Sequence, residues 1–111
     1  MILEDNTDIL EVVQEVLSYE DYEVKGVTSA GGIEQVMMDF NPDLLIADYR
    51  LADGNGGELC LSLKGRFPAL KTILFSAYMS PAIDFSVYNC DAYIAKPFDI
   101  DVLLSKVSTL V

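Results

Sequence analysis

Short apolar runs alternate with stretches in which apolar residues recur every third or fourth position, from one end of the chain to the other. Met1-Ile2-Leu3 opens on an apolar run that meets Glu4-Asp5, brief for a strand unless the strand begins upstream. Ile9, Leu10, Val13, Val16 and Leu17 then mark a helix, with Asn6, Thr7 or Asp8 as its cap and Asp8 and Glu11 spaced as a capping box. Tyr22 to Val27 alternates as a second strand. Ser29 is placed to cap a second helix striped by Ile33, Val36, Met37 and Phe40, in which the Met37-Met38 pair reads as core packing. Asp43 to Asp48 is a third strand whose unbroken apolar run suits burial on both faces. After the glycine-rich Asp53 to Gly57 comes a third helix, marked by Leu59, Cys60, Leu63 and Phe67. Lys71 to Ser76 is a fourth strand. Ser80-Pro81 can start a short fourth helix with Ile83, Val87 and Tyr88 as its stripe. Ala92 to Ala95 is a fifth strand, and Asp99 caps a last helix whose Ile100, Leu103, Leu104 and Val107 face inward.

Strict strand–helix alternation with right-handed crossovers predicts an α/β fold, a doubly wound five-stranded parallel sheet with helices on both faces. The commonest order for five such strands is 2-1-3-4-5. That order sets strands one and three side by side and gathers Glu4, Asp5, Asp48, Ser76 and Lys96 at the C-terminal rim, where open α/β sheets place their chemistry.

The chain has 111 residues, the size of one domain, so residues 1–111 are read as a single unit. Seven basic against 18 acidic residues give a net charge of −11. Such a surface repels nucleic acid and anionic membrane and attracts a divalent cation or a basic partner. No apolar run approaches the roughly 18 residues of a membrane span, and no secretory signal opens the chain. Cys60 and Cys90 are too few for a disulfide framework, and without histidine there is no ordinary zinc site. A cytoplasmic location with two reduced, packed cysteines is the expectation.

Carboxylates from neighbouring strand ends repel one another unless a cation sits among them, and Mg²⁺ favours a few carboxylates, a carbonyl and waters. Lys96 is the basic residue placed to meet an anion at that rim, and Ser76 can donate to a phosphoryl oxygen. Plainer roles stand beside these: three solvated turn acids, a structural ion pair for Lys96, a strand-end hydroxyl satisfied by backbone for Ser76.

Glu4-Asp5-Asn6, Asp48 with Gly54 to Gly56, Ser76-Ala77 and Lys96-Pro97-Phe98 together resemble the receiver domain of two-component response regulators, across essentially the whole chain. The resemblance implies a flavodoxin-like (βα)₅ fold and a phosphoprotein of phosphorelay signalling. Asp48 would take a phosphoryl group from a sensor histidine kinase or a histidine phosphotransfer protein. Mg²⁺ would be held by Glu4, Asp5, Asp48 and the backbone carbonyl of Arg50. Ser76 and Lys96 would bind the phosphoryl oxygens, and Tyr93 would change rotamer with Ser76. It implies no enzyme beyond self-phosphotransfer and auto-dephosphorylation, and no direct DNA binding by this domain. A homodimer through the fourth-helix side is allowed, though nothing in the sequence calls for it. Glu4 stands where the family often has Asp, Ser76 where Thr is commoner, and Ala52 where Pro is usual. Arg50 and Tyr78 fall at positions that tune the lifetime of the phosphoryl group.

Three other readings fit the sequence less well. A flavin-binding domain of this architecture needs a hydroxyl- and glycine-rich phosphate loop after strand one, where Glu4-Asp5-Asn6 would repel a phosphate. A dehalogenase-like phosphatase needs a second Asp where Arg50 stands. A receiver-like module that only binds partners has no use for the whole set of Glu4, Asp5, Asp48, Ser76 and Lys96.

Overall fold

The computed structural model describes residues 1–77 and 85–111. Its main sheet is five-stranded and parallel: β1 (Ile2–Leu3), β2 (Gly26–Val27), β3 (Leu44–Asp48), β6 (Lys71–Ser76) and β7 (Ala92–Ala95). Two further two-residue strands, β4 (Arg50–Leu51) and β5 (Gly54–Asn55), form a small antiparallel ribbon just past β3. The main order is β2-β1-β3-β6-β7, which is the predicted 2-1-3-4-5 once the ribbon is set aside.

Side-chain alternation along β3 separates two cores. Leu44 and Ile46 join Ile73, Phe75 and Ile94 beneath α1 (Thr7–Tyr19) and α4 (Ile100–Leu110), through Leu10, Val13, Leu17, Leu103 and Val107. Leu45 and Ala47 join the other face, beneath α2 (Ile33–Phe40) and α3 (Gly56–Arg66), through Ile33, Met37, Cys60 and Leu63. With a core on either side, the central strand is apolar throughout, as its sequence requires.

Several local expectations are corrected. The second strand pairs only at Gly26–Val27, because β1 offers it just Ile2 and Leu3 as ladder partners. Tyr22 and Val24 still pack on the core. Asn6 alone caps α1, its side chain accepting from the Asp8 and Ile9 amides, so Asp8 and Glu11 form no capping box. Ser29 does not cap α2. The helix begins after Gly32, whose φ of 74° is left-handed, and the Ala30 amide is drawn off to Asp53 Oδ2 at 3.0 Å. Met37 is buried, but Met38 is 61% exposed and is no part of the core. Ile100, in the first turn of α4, is likewise exposed. Of the predicted fourth helix, the described part is a 3₁₀ turn over Phe85–Tyr88. Tyr78, Ser80, Pro81 and Ile83 lie outside the described residues.

Candidate functional site

Register alone brings the rim together. Leu3 pairs with Ala47, so the next residues, Glu4 and Asp48, emerge side by side. Asp48 pairs with Phe75, which pairs with Ile94, and Ser76 pairs with Ala95. Lys96 follows directly, its amide donating to the Ser76 carbonyl at 2.8 Å. The Lys96–Pro97 peptide is cis.

The side chains converge as the backbone does. Lys96 Nζ makes an ion pair with Glu4 Oε1 and lies 3.3 Å from Asp48 Oδ1. Below it, 5.9 Å from the ammonium, is the Phe75 ring, which stacks on Phe98. Glu4 is 1% exposed and Asp48 8%. Burial pushes the Glu4 carboxyl above its ordinary value, against the hydrogen bond from Lys96 and together with the nearby Asp48. Asp5 is exposed, and its Oδ2 accepts from the Ala52 amide at 3.1 Å, tying the loop after β3 to the end of β1.

One carboxylate oxygen from each of Glu4, Asp5 and Asp48 lies within 4.8 Å of the others. Three carboxyl groups face one ammonium at this rim, and every donor is a hard oxygen. That donor set fits a small divalent cation such as Mg²⁺.

The remaining predicted residues are placed as follows. Ser76 is buried at the end of β6. Arg50 is exposed in β4, two residues beyond Asp48. Tyr93 is half-buried in β7 and donates from its hydroxyl to the Phe85 carbonyl at 2.7 Å.

Two supports were not anticipated. Asn55 caps α3 by accepting from the Gly57 and Glu58 amides at 2.8 and 3.3 Å, a role that Asn55 and Glu58, three positions apart, could have signalled. Tyr49, directly after Asp48, packs edge-on against Phe85 with centroids 5.1 Å apart, and its hydroxyl lies 3.4 Å from that of Tyr88. Nothing in the spacing of Tyr49, Phe85 and Tyr88 announces that cluster.

The family model for the response regulator receiver domain matches residues 1–108. The DNA-binding transcriptional regulator NtrC of Proteus hauseri is 26% identical over 106 residues, 94% of this chain and 22% of that protein. The DNA-binding transcriptional activator DevR/DosR of Mycobacterium tuberculosis is 33% identical over 81 residues, 68% of this chain and 37% of that protein. Among solved structures, a CheY-like response regulator receiver domain protein of Methanospirillum hungatei superposes with a TM-score of 0.86 at 33% identity, over 97% of this chain and 88% of that one. The response regulator TrrA of Thermotoga maritima, solved in complex with Mg²⁺-BeF, gives 0.87 at 27% identity, over 99% and 96%. The first curated relatives are longer, and this chain spans 22 to 48% of their length. No helix among the described residues is long and apolar enough to cross a membrane.

Proposed function

The chain belongs to the response regulator receiver domain family, and on that footing we propose that residues 1–111 form one receiver domain that accepts a phosphoryl group on Asp48. The observation carrying this reading is the approach of Glu4, Asp5 and Asp48 to within 4.8 Å, with the Lys96 ammonium 3.3 Å from Asp48.

The Asp48 carboxylate is the nucleophile. One of its oxygens attacks phosphorus on a phosphohistidine of a sensor kinase or phosphotransfer protein. The phosphorus–nitrogen bond breaks, and its electron pair stays on the imidazole. Glu4, Asp5, Asp48 and the Arg50 carbonyl would hold Mg²⁺, which would supply charge neutralisation at the phosphoryl oxygens. Lys96 supplies the opposite clamp. To do so it shares or leaves its pairing with Glu4, since the new anionic oxygens compete for the same ammonium. Ser76, at the end of the neighbouring strand, is the hydroxyl donor to those oxygens.

Movement of Ser76 and Lys96 toward the phosphoryl group biases the surface beside β6 and β7. Tyr93 changes rotamer with it, giving up its hydrogen bond to the Phe85 carbonyl. The reaction ends when water hydrolyses the acyl phosphate, so the chemistry is confined to the domain's own carboxylate. The net charge of −11 favours a basic protein partner over DNA or membrane.

Incubation with Mg²⁺ and a small phosphodonor, or with beryllofluoride, tests the reading. A Mg²⁺-dependent adduct that Asp48→Asn abolishes is the expected result. A well-folded protein that forms no adduct with either reagent overturns it.

A further inference from the structure

Away from the carboxylate rim, the packing brings two cysteines into one apolar layer. Gly57, Cys60 and Lys64 follow at three- and four-residue spacing on α3 and share one face. That face is fastened at both ends to the segment leading into β7. At one end, a Cβ on Gly57 would stand 2.7 Å from the Tyr88 ring, so the helix backbone lies directly against that ring. At the other, Lys64 Nζ donates to the Asn89 carbonyl at 3.1 Å and pairs with Asp91 Oδ2 at 2.8 Å. Cys60 sits between these anchors on the helix, and Cys90 sits between them on the segment. Both belong to the same apolar layer, Cys60 fully buried and Cys90 half-buried.

We propose that Cys60 and Cys90 are a peroxide-sensitive dithiol that closes into an intramolecular disulfide. The Cys90 thiolate attacks one oxygen of the peroxide; a sulfur–oxygen bond forms, the oxygen–oxygen bond breaks, and hydroxide leaves. The Cys60 sulfur then attacks the resulting sulfenic sulfur. The sulfur–sulfur bond forms as the sulfur–oxygen bond breaks, and the hydroxyl departs as water with the Cys60 proton. Two electrons pass from the sulfurs to the peroxide.

Exposure assigns these roles: Cys90 is half-buried and open to peroxide, whereas Cys60 is fully buried. A hydrogen bond from Cys60 lowers the Cys90 thiol to about 7, helped by the Thr72 hydroxyl and the Lys64 ammonium and opposed by burial and Asp91. The hydrogen bond with Cys90, then burial, pushes Cys60 far up. Thr72 Oγ1, buried with no hydrogen-bond partner of good geometry among the described residues, is beside Cys90 and gains an acceptor when that sulfur is charged.

The test is peroxide treatment of the folded protein, read by intact mass and a non-reducing peptide map. The expected result is loss of the mass of two hydrogens per chain, a Cys60–Cys90 linked peptide, and reversal by dithiothreitol. In Cys60→Ala, oxidation should stop at a sulfenic acid on Cys90 that dimedone captures. Sulfinic or sulfonic acid on Cys90 with Cys60 still reduced, disulfide-linked dimers through Cys90, or an unchanged wild-type mass would each overturn the proposal. The wild-type map decides the matter even if Cys60→Ala fails to fold. The thiol readout does not depend on whether Asp48 is a phosphoacceptor.

Discussion

Lys96 and Glu4, 92 positions apart, form the ion pair that closes the end of the parallel sheet. Glutamate carries one methylene more than the aspartate the family often has here, and that added reach suits the contact. The pair links the first strand to the last across β3 and β6, so the charge arrangement at the rim is also a fastening of the fold. Its geometry makes one lysine serve two buried acids.

That sharing predicts a chelator-dependent stability. Lys96→Ala leaves Glu4 and Asp48 buried together with no cation between them, which costs about 3–5 kcal/mol. Urea unfolding in EDTA should show the loss. Saturating Mg²⁺ should recover part of it, because the ion binds the folded state alone. Equal midpoints for wild type and variant in EDTA would mean the pair contributes nothing to stability.

Asp5 differs from its neighbours in being exposed and in holding a loop amide rather than Lys96. Asp5→Asn keeps an oxygen that can accept from the Ala52 amide while removing one of three charges. Mg²⁺ affinity should fall by about tenfold or more, with the melting temperature in EDTA nearly unchanged. A fluorescence or calorimetric Mg²⁺ titration indistinguishable from wild type would remove Asp5 from the ligand set.

Most of this rim was legible because strand order converts sequence position into place. Once the order is 2-1-3-4-5, residues following apolar runs must share an edge, and Glu4, Asp48, Ser76 and Lys96 do so. The misreadings lie where a distant partner decides. Ser29 has the chemistry of a cap, but Asp53 takes the Ala30 amide and the helix starts at Ile33. Tyr22 to Val27 has strand alternation, yet pairing needs a neighbour and β1 supplies two residues. The ribbon of Arg50–Leu51 with Gly54–Asn55 is too short to leave a periodic signal. The pairing of Lys96 with Glu4 depends on side-chain reach, which spacing does not encode.

Asp91 anchors the segment before β7 by accepting from the Thr72 amide at 2.8 Å and pairing with Lys64. Burial raises its carboxyl, but the Lys64 and Thr72 hydrogen bonds outweigh that, and the net shift is below the ordinary 3.8. A lowered folded value contributes stability that is present above 3.8 and lost as pH falls through the folded value. Asp91→Ala should cost about 1 kcal/mol at neutral pH after solvent screening. The gap from wild type should close as the solution is acidified. A constant gap across thermal melts from neutral to strongly acidic pH would show that the carboxylate charge plays no part.

Two glycines on one helix should respond in opposite directions. A Cβ on Gly56 would fall 1.8 Å from the Asp48 carbonyl oxygen, a backbone atom with nowhere to go, because the Gly56 amide is itself bonded to the Tyr49 carbonyl at 2.8 Å. Gly56→Ala must therefore displace the first turn of α3, strain the strand end that carries Asp48, or both. The expected cost is about 3 kcal/mol or more, together with weaker Mg²⁺ binding, since the displaced backbone belongs to the residue at the centre of the rim. Gly65, near the end of the same helix, meets nothing within 4 Å of its added Cβ. Gly65→Ala should thus stabilise by about 0.5–1 kcal/mol through helix propensity alone and leave Mg²⁺ binding unchanged. Denaturant midpoints and metal titrations of the two variants, side by side, separate a general effect of alanine in α3 from a specific requirement for close approach at Asp48. If both variants shift alike, the contact at Gly56 is not what fixes the helix against the site.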